Sequence, residues 1–374
     1  MRPDTLSGLI GQEDLKRKLT FDLEVMTAEF DRQFSEQLGD DGLVDVSDLD
    51  AVNRASGIAD GCFKGKQYLI SGRSGMGKST LAKAFATDIS AIAAVRKWPK
   101  FSLNPAAASM LRDPIDVNEW TEQGPPTKFY RYAYVEGAEL RSAAQLDPYL
   151  HYVQPMGVLF IDEAHGMSSE AQDGLLEVLE SGQWRSDIRG GLSGHQSWVL
   201  MMATNYEHKL RAALRNGRLT RIVMSSYTEE EQAEMATRVA DKCDFTMPSW
   251  MVDEVVHRCG GIPRRIVTAT IDIAGYFKLH PDYTREQVID FMIVNGLYPL
   301  GVDPRGLDVL RVLCGNDGRK MSTADLVGAA GLTRDVYEDE IRPSLVNGGD
   351  MLIEVRGGVR ITKLGRELLA EVDC

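Results

Sequence analysis

Short apolar runs punctuate the first two-thirds of the chain. QYLISG (67–72), GVLFID (157–162) and WVLMMATN (198–205) are bounded by glycine or polar residues, the pattern of strands buried on both faces. Helical spacing fills the gaps. LAKAFATDI follows the first run, and a helix starting at Ser168 or Ser169 places Leu175, Leu176, Val178 and Leu179 on its apolar side. Near the start, Leu15 and Leu19 of EDLKRKL lie one helical turn apart. Alternating strands and helices predict an α/β fold, a parallel sheet with helices on both faces.

Beyond Tyr227 the pattern becomes all-helical to about residue 300. Thr228 is an expected N-cap before a glutamate-rich first turn. DPRG at 303–306 reads as a linker, and the tail reads as helix, helix, helix, two strands joined by RGG, and a last helix. That order predicts a winged helix-turn-helix. The expected organisation is a large α/β subdomain at 1–226, an all-helical subdomain at 227–302 and a winged-helix domain at 303–374. Two loop-rich stretches, near 36–66 and 97–128, interrupt the first of these as insertions.

Composition narrows the class. With 374 residues and 43% apolar content the chain can bury more than one core. No apolar run approaches the roughly 20 residues of a membrane span, and the first residues lack a signal-peptide core, so a cytoplasmic protein is expected. The five cysteines are scattered and never spaced CxxC, which favours neither a disulfide frame nor a zinc site. A net charge of −13, from 42 basic and 55 acidic residues, argues against coating nucleic acid by bulk charge. It leaves room for a few basic loops that grip a backbone.

The chemistry concentrates in two segments. Gly72 to Ser79 fits GxxxxGK[ST] without mismatch, between a predicted strand and a predicted helix. Glycines let the backbone turn its N–H groups around phosphates, and the helix adds its positive end. The candidate ATP contacts are therefore Gly72, Arg73, Ser74, Gly75, Met76, Gly77, Lys78, Ser79 and Thr80. Lys78 supplies a charge to the outer phosphates, and the Ser79 hydroxyl is a candidate magnesium ligand. The run ending Asp162-Glu163 delivers two carboxylates to the C-terminal edge of a parallel sheet, where such folds bind ligands. Asp162 is the second candidate magnesium ligand. Glu163 is the candidate base that orients and deprotonates the attacking water.

These residues resemble AAA+ ATPases, and four further segments match in that family's order. The resemblance implies that Asn205 is the first sensor, and that LRNGRLTR (214–221) carries an arginine finger reaching a neighbour's ATP. Arg218 is the first choice for the finger, followed by Arg221 and Arg215. It implies that Arg264 in GGIPRR contacts nucleotide from the lid, and that Ile10 and Gly11 in LSGLIGQ pack on the adenine. Within AAA+ the chain is most similar to the RuvB family of Holliday-junction branch-migration motors, over nearly its whole length. RSDIRGGLSGHQS, between Trp184 and Trp198, is similar to the hairpin which that family inserts before the first sensor. Three features depart from the pattern. The two insertions have no counterpart, Asn205 stands where Thr is typical, and the hairpin is polar.

The resemblance implies ATP and Mg2+ as cofactors and a homo-oligomer, a hexameric ring. It also implies DNA as substrate, and a junction-binding or other protein partner. Within the tail, Asp335, Glu338, Asp339 and Glu340 on the third helix oppose phosphate approach. Arg356 and Arg360 flank a glycine turn suited to backbone contact, although a solvated or protein-docking hairpin explains them too. A DNA motor is the expected function. An AAA+ loader or remodeller that docks protein through its winged helix is the alternative, and a slowly hydrolysing scaffold is a third class.

Overall fold

The computed structural model describes residues 5–37, 65–95, 132–153, 157–186, 191–194, 198–316, 319–346 and 350–372. The 36–66 and 97–128 insertions lie almost entirely outside the described residues. The chain divides into two compact units, Arg2–Ser225 and Ser226–Cys374.

The first unit is built on a parallel sheet of five strands: β1 (Gln67–Ser71), β2 (Tyr132–Glu136), β3 (Val158–Asp162), β6 (Val199–Thr204) and β7 (Thr220–Val223). Their order is β2-β3-β6-β1-β7. The apolar runs form its centre, and every residue of β6 is buried, as strands covered on both faces require. The edge strand β2 was not foreseen. Its Tyr134 and Glu136 are exposed while Tyr132, Ala133 and Val135 are buried, so its pattern is short and mixed.

Helix α1 (Glu13–Gln37) precedes the sheet, and α2 (Lys78–Val95) follows β1. Later come α3 (Asp147–Tyr152), α4 (Ser169–Ser181) and the short α5 (Ala212–Arg215). Ser168 caps α4 by accepting the Ala171 N–H, and Gly182 ends it at φ 72°. Ala171, Leu175, Val178 and Leu179 on α4 share one buried core with Leu159, Ile161, Leu200 and Met202 of the sheet. The expected hairpin is present as β4 (Gln183–Ser186) paired antiparallel with β5 (Gly191–Gly194). Buried Trp184 anchors its base by donating an indole N–H to Asp147 at 2.7 Å.

Register places the chemistry at one edge. Ser71 pairs with Thr204, and Glu136 pairs with Asp162, so the turns after β1, β3 and β6 all leave the carboxyl end of the sheet. A distant lock closes the unit. Gln12, 7% exposed and at φ 58°, donates to the Ser225 carbonyl at 2.7 Å and accepts from the Ser225 N–H at 3.1 Å.

The second unit opens with four helices, α6 (Glu229–Lys242), α7 (Ser249–Cys259), α8 (Pro263–Phe277) and α9 (Arg285–Val294). Thr228 forms the capping box expected of it, with Glu231 as its reciprocal partner. Then come α10 (Pro304–Gly315), α11 (Thr323–Ala329), α12 (Arg334–Val336) and α13 (Arg342–Val346), strands β8 (Leu352–Val355) and β9 (Gly358–Ile361), and α14 (Lys363–Val372). A π turn over Tyr337–Ile341 joins α12 to α13. Pro343 has no N–H to donate to the preceding turn, which accounts for the widened ladder. The β8–β9 hairpin gains a third edge where Met321 bridges Val359. Gly358 permits that contact, since a Cβ there would lie 2.1 Å from the Met321 carbonyl oxygen.

Candidate nucleotide and hydrolysis site

The loop between β1 and α2 turns through Gly72, Gly75 and Gly77 at φ 155°, 80° and 98°. The last two values are ones that side-chain-bearing residues rarely adopt. Helix α2 begins at Lys78 itself, so the loop ends on a helix N-terminus. Met76 is buried beneath the loop, while Arg73 and Ser74 are exposed and Thr80 is half-buried.

Lys78 is only 6% exposed. Its ammonium donates to the Gly72 carbonyl at 2.8 Å, to the Arg73 carbonyl at 3.1 Å, and to Asn205 Oδ1. Ser79 donates its hydroxyl to Asp162 Oδ2 at 2.7 Å, and the other Asp162 oxygen accepts the Glu163 N–H at 3.0 Å. Asn205 then reaches Glu163, its Nδ2 lying 3.4 Å from Oε1. Lys78, Ser79, Asp162, Glu163 and Asn205 therefore form one polar cluster across the carboxyl edge of β1, β3 and β6.

Glu163 departs from ordinary backbone geometry at φ 45°, ψ 47°. A non-glycine residue there costs on the order of 1 kcal/mol and persists where its surroundings hold it. Two neighbours were not anticipated. His165 Nδ1 lies 3.1 Å from the Thr204 hydroxyl and 3.3 Å from Glu163 Oε2. Burial pulls the His165 pKa below its ordinary value. Glu163 opposes that shift, while Lys209, His208 and Lys78 add to it. Tyr134 on β2, exposed but partly covered, is pushed up to about 12 by that partial desolvation, then by the charges of Asp162 and Glu136. Tyr134 lies in no motif; His165 closes the Asp162-Glu-Ala-His165 run, three residues after Asp162, and the sequence alone assigned it no role.

The other candidates lie outside this cluster. Arg218, in the loop before β7, pairs with Glu180 at 2.9 Å, and Arg221 pairs with Glu207. Arg215 ends α5, half-buried. Gly11 is buried at φ 64°, beside the half-buried Ile10. In the second unit, Arg264 is exposed on the first turn of α8, whereas its neighbour Arg265 donates to the Gly301 carbonyl at 2.5 Å. Arg356 and Arg360 are exposed on the C-terminal hairpin, and Lys320 donates to the Arg356 carbonyl at 3.2 Å. Among the described residues, no cluster of His, Cys, Asp and Glu forms a separate metal centre, and no helix is long and apolar enough to cross a membrane.

The sheet order, glycine loop and paired carboxylates define an AAA-type nucleotide-binding unit. Residues 68–227 match the family described as "ATPase family associated with various cellular activities (AAA)". Over about 60% of its length the chain is similar to RuvB subunits. It is 28% identical over 247 residues to the Holliday junction branch migration complex subunit RuvB of Anaeromyxobacter sp. (strain Fw109-5), covering 62% of this chain and 71% of that one. The RuvB subunit of Granulibacter bethesdensis is 27% identical over 245 residues, 59% of this chain and 64% of its own length. The solved Thermotoga maritima RuvB Holliday junction branch migration motor superposes with a TM-score of 0.67 at 20% identity. That alignment covers 99% of this chain and 98% of the motor.

Proposed function

We propose that this chain is an ATP-driven DNA motor that works as a ring, in the manner of its RuvB relatives. The observation that carries the reading is the convergence of Lys78, Ser79, Asp162, Glu163 and Asn205 at one sheet edge. The glycine loop cradles the phosphates with backbone N–H groups, and Lys78 compensates charge on the outer ones. Ser79 and Asp162 are hard oxygen donors already in contact at 2.7 Å, a donor pair that suits Mg2+. They would hold the ion, and its chemistry when bound is to neutralise phosphate charge. Glu163 takes a proton from the attacking water, and Asn205 orients both that water and the Glu163 carboxylate. Arg218, or failing it Arg221 or Arg215, leaves its own chain's carboxylate to reach a neighbour's phosphate. Ring assembly, most simply a hexamer, follows from that shared site, and the protein works in the cytoplasm.

DNA is gripped through Arg356 and Arg360 on the winged-helix hairpin, by backbone contact. A second reading keeps the ATPase and makes the winged helix a docking module for a protein partner. It is favoured by the acidic third helix, although Glu338 and Glu340 there are already paired with Arg342 and Arg305. ATPase measured with four-way DNA, linear duplex and no DNA separates the two. Stimulation by branched DNA is the expected result, and turnover indifferent to every DNA would favour the second reading.

A further inference from the structure

The Glu163 carboxylate is approached at both of its oxygens. Oε1 faces Asn205 Nδ2 at 3.4 Å. Oε2 is shielded from solvent and takes no hydrogen bond, yet it stands 3.3 Å from His165 Nδ1. His165 is itself fixed without Glu163. Its Nδ1 shares a hydrogen bond with the Thr204 hydroxyl at 3.1 Å, and that hydroxyl accepts the Tyr206 N–H at 3.0 Å. The imidazole also meets the Tyr206 ring edge-on, centroids 4.8 Å apart. A rigid ring anchored at the end of β6 thus confronts a carboxylate mounted on a strained, left-handed residue.

We propose that His165 is a positioning residue for Glu163: together with Asn205 it fixes where the carboxylate stands to meet the attacking water. The inference rests on the reading of Glu163 as the base. A base works only within hydrogen-bond reach of the proton it takes, and a glutamate has three side-chain torsions to lose before it stands there. Contacts at both oxygens remove that freedom.

The choice of imidazole has a reason. A permanent cation at this distance would hold the carboxylate's proton affinity down and weaken it as a base. A neutral ring orients without that penalty. Burial keeps His165 neutral to lower pH than an ordinary histidine, against the pull of Glu163 and helped by Lys209, His208 and Lys78, the charged and titratable groups that face it. Acidification below its lowered pKa turns the ring into a cation, pairs it with Glu163 and slows hydrolysis. Turnover dependent on this contact is therefore full above that pKa and falls beneath it.

The test is steady-state ATPase from acid to neutral pH, with binding of a non-hydrolysable ATP analogue measured in parallel. It compares the full chain with His165→Ala, His165→Asn and Glu163→Gln. His165→Ala should lower kcat by roughly tenfold or more, part of the 10²–10⁴ that a positioned base contributes, with analogue affinity within about twofold of wild type. The amide nitrogen of His165→Asn replaces Nδ1, so this variant should recover most of kcat while losing the acid-side fall attributed to the imidazole. Wild-type kcat in His165→Ala beside an inactive Glu163→Gln would overturn the positioning role alone. So would equal losses in the Ala and Asn variants with an unchanged pH profile, which would make His165 packing for Tyr206. A Glu163→Gln variant that hydrolyses normally removes the base assignment, and the proposal falls with it.

Discussion

Lys78 and Glu163 sit in one polar cluster but have different partners within it. Lys78 is held by two loop carbonyls and Asn205, where a phosphate group would take over its charge. The Glu163 carboxylate faces Asn205 and His165. Lys78→Ala should therefore lose ATP binding, whereas Glu163→Gln should bind normally and lose turnover by 10² or more. Equilibrium binding of a fluorescent nucleotide, paired with phosphate release, separates the two effects. Near wild-type hydrolysis by Glu163→Gln would remove Glu163 as the base.

At the scale of elements, the C-terminal hairpin is the sharpest case. Gly358 lies against the Met321 carbonyl, where a Cβ would sit 2.1 Å from oxygen. Gly358→Ala should therefore open the Met321–Val359 bridge and destabilise the unit by about 1–3 kcal/mol, visible as a lower denaturation midpoint. The same hairpin carries Arg356 and Arg360, with Arg319 and Lys320 exposed beside it. Replacing both hairpin arginines by alanine should weaken DNA binding at low salt. It should also reduce the slope of log affinity against log salt by about two, alike for every sequence. An unchanged slope would move DNA contact elsewhere and favour a docking role. The acidic third helix is a milder obstacle than its composition implies, because Arg342 and Arg305 neutralise Glu338 and Glu340.

For the whole molecule the question is whether one chain suffices. Arg218 and Glu180 are each about half exposed, and exposed pairs contribute about 0–1 kcal/mol, so Arg218 can exchange its partner cheaply. Arg218→Ala should bind ATP and fail to hydrolyse it, since an arginine finger contributes on the order of 10³ or more to turnover. Mixed with Lys78→Ala, it should regain part of the activity at hybrid interfaces that combine an intact loop with an intact finger. Absence of recovery in subunits shown to co-assemble would place Arg218 in its own chain's chemistry or in none.

The nucleotide loop, the Asp162-Glu163 strand end, the Thr228 cap and the central strands were legible in the sequence because each is local. A turn needs its glycines, a cap needs its hydroxyl, and a strand covered on both faces needs an unbroken apolar run. Strand β2 escaped because an edge position leaves Tyr134 and Glu136 in solvent and breaks the run. The sequence named Lys78, Asp162, Glu163 and Asn205 separately, but the sheet order joined them, by bringing the ends of β1, β3 and β6 to one edge. Only the tertiary structure could pair Gln12 with Ser225, Trp184 with Asp147 and His165 with Thr204. Those partners lie 37 to 213 residues apart, and no periodicity records which distant groups a parallel sheet will set side by side.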